Sequence, residues 1–172
     1  MNKTGKLSSL VFSIYLLLSF YVCGGGMVTS LVGYPTWKLV GPNEFPKFHQ
    51  ADNIYIIPVF VIFFFLSFIP QILLFWFRPT IIPRWTVGLA LFFNLIMLIS
   101  SVTIQIPIQM QLDKKFSMEL IERLIATDFR FRVIPLILLA ITNFMMLYKV
   151  VKQSLSGFSS SRDLAVTEEV RA

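Results

Sequence analysis

The chain has one cysteine and one histidine in 172 residues. Cys23 alone can close no internal disulfide and supply no thiolate cluster. His49, without cysteines or a Glu-x-x-His pair, cannot assemble a zinc or di-iron ligand set. No metal and no cofactor is therefore expected. Gly24, Gly25 and Gly26 are contiguous rather than spaced, so a phosphate-cradling loop is absent too. Charge is equally scarce: 14% of residues are charged, against about a quarter in a soluble chain. The length leaves room for one compact bundle and no separate soluble domain.

Apolar sequence is what the chain has in excess. Hydrophobic residues make up 56% of it, and the mean hydropathy is +0.75. Four uncharged runs, Leu7–Val32, Ile54–Phe77, Trp85–Ile106 and Val133–Tyr148, hold about half of the residues. In hydrocarbon every backbone N–H and C=O must be paired within its own segment, so an apolar run of about 20 residues becomes a helix that crosses the core. The last run reaches that length if Phe129–Arg132 begins the helix and Lys149 snorkels at its end. The expected fold is all-α: a single membrane domain over 1–152 with spans at about 8–32, 54–77, 85–106 and 130–149. Residues 153–172, rich in serine and without a sustained apolar pattern, are expected to form a disordered tail.

The first run is longer than the apolar stretch of a signal peptide and continues past the glycines, so it reads as a retained helix. With four spans both termini share a side. That side holds Lys3, Lys6, Arg78, Arg84, Lys149, Lys152, Arg162 and Arg171, against Lys38, Lys47, Lys114, Lys115, Arg123, Arg130 and Arg132 opposite. The short, acid-free Arg78–Arg84 connection weighs most, which places the termini in the cytoplasm of a cell-membrane protein. The net charge of +6 is explained by snorkelling flanks and anionic lipid, with no nucleic-acid partner.

The connections differ in character. Arg78-Pro79-Thr80-Ile81-Ile82-Pro83-Arg84, flanked by Trp76 and Trp85, is a tight hairpin anchored at an interface. The two longer connections, Gly33–Asn53 and Pro107–Phe131, lie together on the other side and can form a joint cap. Within the second, Leu120, Ile121, Leu124 and Ile125 share one helical face, Glu119, Glu122 and Arg123 share the other, and Ser117 is placed to cap the start. This predicts a short amphipathic helix at the interface between the third and fourth spans.

Polar groups at membrane depth are costly and face the bundle interior. Asn94, Ser101 and Gln105 fall on one face of the third span, Gln109 continues the line past Pro107, and Thr142 and Asn143 sit midway along the fourth. Such groups serve either as interhelical glue or as the lining of a ligand cavity. Gly24, Gly25, Gly26 and Ser30 read as a close-packing surface. His49 is the one candidate base, since an imidazole's ordinary pKa near about 6.5 suits proton transfer at neutral pH.

Tyr34-Pro35-Thr36-Trp37 after the first span, Glu44-Phe45 and Phe48-His49 before the second, Ile106-Pro107-Ile108-Gln109-Met110-Gln111-Leu112 ending the third, and Arg130 and Arg132 opening the fourth together resemble the small four-helix membrane family that includes anthrone-oxygenase-like proteins. The likeness covers about residues 8–150, with Gln109 where that family usually has asparagine. It implies that Pro107, Gln109 and Leu112 occupy the family's pattern after the third helix and that Arg130 or Arg132 is its arginine at the fourth, with, in some relatives, cofactor-independent oxygenation of an aromatic polyketide.

Two functions are compatible with these features. One is a non-catalytic membrane subunit or accessory protein that packs against lipid, another membrane protein or its own copies. The other is a small membrane enzyme that takes a lipophilic aromatic or quinone-like molecule into a pocket between the helices, with His49 as base and Trp37, Asn94, Gln105, Gln109, Arg132 and Asn143 as binding residues. The absence of a nucleophile–base pair or cofactor motif favours the first. A transporter ranks third, because no acid falls within an apolar run and no inverted repeat is visible.

Overall fold

The computed structural model describes the backbone from Lys3 to Arg171 and the side chains of residues 5–156. Among the described residues there are helices and turns and no strand. Four helices are long and apolar enough to cross a membrane: α1 (Gly5–Leu39), α2 (Phe45–Phe77), α3 (Arg84–Leu112) and α4 (Met118–Ser156). α1 packs against α2 and α4, and α3 closes the ring against both of them, so neighbours in the sequence are neighbours in space. The outward faces are apolar: Leu17, Ile69, Phe92 and Phe144 are all more than half exposed. In water this surface would be untenable, and in lipid it is solvated.

All four helices extend beyond the apolar runs at the same end of the bundle. α2 begins at Phe45 instead of near 54, α3 continues to Leu112, and α4 starts at Met118. The cap is therefore built chiefly from helical extensions, around a second apolar cluster of Tyr34, Trp37, Phe45, Ile108, Leu112, Ile121 and Leu124. Residues 118–128 are helical as the periodicity predicts, and the Ser117 hydroxyl caps them by accepting from the Leu120 amide at 3.3 Å. They run into the fourth span without a break, so they form its first turns and no separate element intervenes. The tail expected over 153–172 carries the backbone of this last helix onward through Arg171; its side chains past Ser156 lie outside the described residues.

Each long helix contains one widened turn near the capped end. The amides of Tyr34, Ile62, Ile106 and Ile134 reach five residues back, to the carbonyls of Thr29, Ile57, Ser101 and Phe129. In three of the four a proline comes immediately after: Pro35, Pro107 and Pro135. A proline ring collides with the carbonyl four residues earlier and offers no N–H. Opening the turn removes the collision with the carbonyls of Leu31, Thr103 and Phe131 at the cost of regular hydrogen bonding. Neighbouring helices take up what is freed, as where the Ser100 hydroxyl reaches the Phe131 carbonyl at 3.3 Å.

At the opposite end Arg78 Nε donates to the Ile82 carbonyl at 2.8 Å and closes the hairpin between α2 and α3. Trp76 and Trp85 stand exposed on either side of it. Of the glycines, Gly25 and Gly26 serve close packing. A Cβ on Gly25 would lie 2.9 Å from the Phe60 ring and one on Gly26 2.7 Å from Leu136, whereas Gly24 faces open space.

Candidate functional site

The widened turns surround a cavity of about 130 Å³ between the four helices, just below the cap. A cavity of about 150 Å³ in an engineered soluble protein holds benzene, so this one accommodates a single ring. Its walls are mostly apolar, from Phe60, Phe64, Met97 and Leu136, while the polar lining is concentrated at the capped end.

That polar end is built by three helices. The Tyr34 hydroxyl, from the widened turn of α1, accepts from Arg132 Nη1 at 2.9 Å and from Gln109 Nε2 at 3.1 Å. Both phenol lone pairs are thus engaged, and its own proton remains to be donated. Arg132 also pairs with Asp128 one turn earlier, at 2.9 Å, with Ser30 of α1 beside the carboxylate. Both charged groups are buried, and each keeps the other from being an isolated ion in a low-dielectric interior. Asp128 precedes the fourth apolar run, and the unbroken α4 carries it into the buried interior. It sits four residues before Arg132, on the same face of α4.

Gln105 is the unusual member. It lines the cavity, is 1% exposed, and neither its Nε2 nor its Oε1 has a hydrogen-bond partner. An unpaired buried amide costs about 1–3 kcal/mol for each group left unsatisfied. An amide presents a donor and an acceptor at once. Together with the Tyr34 O–H, it offers donors for a carbonyl oxygen and an acceptor for a hydroxyl.

The residues singled out by sequence divide into two sets. Trp37, Gln105, Gln109 and Arg132 all line this cavity. Asn94 does not: its Nδ2 donates to Gln71 Oε1 at 2.7 Å, in the half of the bundle nearer the hairpin. Asn143 does not either, since it accepts from the Tyr15 hydroxyl at 2.5 Å and donates to Ser19 at 2.6 Å. These two act as interhelical glue. The reason is height: eleven residues separate Asn94 from Gln105, and likewise Arg132 from Asn143, about 16 Å along a helix axis.

His49 lies outside the lining, behind Trp37. The indole meets the imidazole edge-on with ring centroids 4.6 Å apart, and Phe45 stacks on it at 5.5 Å. His49 Nδ1 is 2.7 Å from Asp113 Oδ1, so the carboxylate accepts the Nδ1 proton and leaves Nε2 as the base nitrogen. Nε2 is buried without a partner. Asn53 donates to the same carboxylate at 3.1 Å, joining α2 to the end of α3.

Ser101, part of the polar stripe on the third span, lines the cavity, while Tyr34, Asp128, Asp52 and Asn53 belong to the site or its rim and were not among the expected binding residues. Asp128 had a legible signal in its spacing from Arg132. Tyr34 had one in standing beside Pro35. No cluster of metal-ligating side chains occurs among the described residues. Compared with known protein families, curated proteins and solved structures, the chain matches none.

Proposed function

We propose that this multi-pass membrane protein binds a lipophilic carbonyl-bearing ring, of the quinone or hydroxyquinone class, in the cavity below its cap. The unpaired amide of Gln105 carries this reading, because a native interior rarely leaves both ends of a buried side chain unsatisfied unless a ligand or water meets them. The ring would lie among Phe60, Phe64, Met97 and Leu136. Its oxygen would accept from the Gln105 amide and the Tyr34 hydroxyl, with Arg132 and Asp128 holding that hydroxyl in place. The likeness to the anthrone-oxygenase-like family supports the same ligand chemistry, an aromatic ring with carbonyl and hydroxyl groups. A purely accessory subunit, favoured by the absence of motifs, accounts for the outer faces and leaves Gln105 unexplained. The first turns of α4 and the rest of the cap would lie at the outer interface, with both termini cytoplasmic.

The test uses 2,6-dimethyl-1,4-benzoquinone, a single-ring quinone, and the fluorescence of Trp37 in protein carrying Trp76→Phe and Trp85→Phe. Saturable quenching is expected, together with a rise in Tm as ligand is added. Gln105→Leu should weaken it about tenfold or more, the equivalent of one lost buried hydrogen bond. Quenching that never saturates, or that is the same in Gln105→Leu and Tyr34→Phe, would overturn the proposal.

A second reading adds catalysis. The buried His49–Asp113 pair, with a free Nε2, has the arrangement of an oriented general base. Trp37 stands between it and the cavity, so proton transfer to a bound ring requires that indole to move. Substrate turnover lost in His49→Gln with quenching at Trp37 intact would support it; equal turnover in both proteins would sink it.

A further inference from the structure

The cavity is not sealed on its flank. Two parallel rows of side chains run along α3. The inner row, Met97, Ser101, Gln105 and Gln109, faces the cavity, while the outer row, Leu98, Val102 and Ile106, borders it and also meets the surroundings. On α2 the corresponding pairs are Phe60 and Phe64 inside, Val61 and Phe65 outside. Phe65, Val102 and Ile106 line the cavity yet are each about half exposed on the outer, lipid-facing surface of the bundle. α2 and α3 pack together near their hairpin and part toward the cap. The gap between them lies at the height of the widened turns.

We infer that this gap is a lateral portal through which the ligand passes directly from the bilayer into the cavity, and this rests on the proposed ring-binding role. The aqueous side is closed by the cap, where Trp37, Tyr34 and Phe45 are almost fully buried and the His49–Asp113–Asn53 contacts tie α2 to α3. The stretch of the rim formed by Val61, Phe65, Leu98, Val102 and Ile106 is apolar, with Asp52 and Asn53 bordering the cavity nearer the cap, so a ring crossing between Phe65 and Val102 need not shed or acquire a hydration shell. Its polar atoms meet their first partners at Gln105, inside. A molecule larger than one ring would seat its oxygenated ring within and leave its apolar remainder between α2 and α3, in contact with lipid. The partner chemistry is thus a membrane-dissolved quinone or phenol with an apolar tail.

The experiment compares two single-ring probes in vesicles: a decyl-substituted benzoquinone dissolved in the bilayer, and a benzoquinone sulfonate confined to water. Trp37 quenching is followed with and without a bis-maleimide link between Phe65→Cys and Val102→Cys, in a Cys23→Ala background with Trp76→Phe and Trp85→Phe. Proteins carrying either cysteine alone, treated identically, serve as controls. The decyl quinone is expected to reach Trp37 in the unlinked protein and at least tenfold more slowly in the linked one, with the sulfonate excluded from both. Val102→Phe, which narrows the gap without chemistry and adds no tryptophan, should slow filling likewise. Equal filling rates with and without the link, or entry of the sulfonate at the rate of the decyl quinone, would overturn the portal and leave the site standing. A lack of saturable quenching by either probe in the unlinked protein would overturn the site itself, and the portal with it.

Discussion

At the residue scale, the polar end of the cavity couples stability to binding. Gln105 is held in a costly state, with a donor and an acceptor unsatisfied. Gln105→Leu should therefore raise the stability of the ligand-free protein by about 1–3 kcal/mol while weakening the probe, so Tm and affinity move in opposite directions. Equal losses of both would mean the amide is structural. Arg132 and Asp128 behave differently, because each neutralises the other. Arg132→Met alone leaves a buried carboxylate and should cost about 3–5 kcal/mol, whereas Arg132→Met with Asp128→Leu should recover most of that. Thermal unfolding of the two variants in detergent decides it: a double variant no more stable than the single one would contradict this account.

The candidate residues were partly legible at this scale. Gln105 and Gln109 were legible from their shared face on the third span, and Trp37 and Arg132 from the segments that carry the family likeness. Asn94 and Asn143 were grouped with them on face alone, although a helical face extends the full thickness of the bilayer. A stripe of polar groups was thus read as one site when it serves two, a ligand cavity near the cap and a glue layer deeper in. Asp128 was overlooked because it precedes its apolar run, and only the unbroken α4 brings it inside.

Among the elements, the widened turns have the most consequence. An extra residue in a turn rotates the remainder of the helix by about 100°, so Tyr34, Gln105 and Arg132 point where a regular helix would not send them. Pro107→Ala removes the ring that collides with the Thr103 carbonyl and restores an N–H. That permits a regular turn, in which Gln105 and Gln109 no longer share their present orientation. Unchanged helical content by circular dichroism, a Tm no lower than before, and probe binding weakened at least tenfold are expected. Undiminished binding would show that packing, not proline, holds the turn open. Pro35 and Pro107 were visible in the sequence as features of the connections, and Pro135 lay within the fourth apolar run. Their effect was not, since a proline within a membrane helix can end it, kink it or widen one turn, and the neighbours decide which.

For the whole molecule, the ring of four antiparallel helices places both termini and the Arg78–Arg84 hairpin on one side and the cap on the other. Single cysteines introduced at Lys152 and Lys114, with Cys23→Ala, should react with a membrane-impermeant maleimide from opposite sides of sealed cells. Position 114 should label from outside and position 152 only after lysis. Labelling of both from one side would contradict the four-span arrangement, and the reverse pattern would invert the orientation alone.

That the chain forms four long apolar helices, each holding one of the four apolar runs, was legible in the sequence, because the cost of an unpaired backbone group in hydrocarbon leaves a long apolar run one regular conformation. Which polar residues meet, that α2, α3 and α4 rise past the apolar limits to build the cap, and that a ring-sized space with an unsatisfied amide remains between them were decided by tertiary packing. Those outcomes depend on axial height, turn width and the fit of neighbouring side chains. Periodicity along one chain reports none of the three.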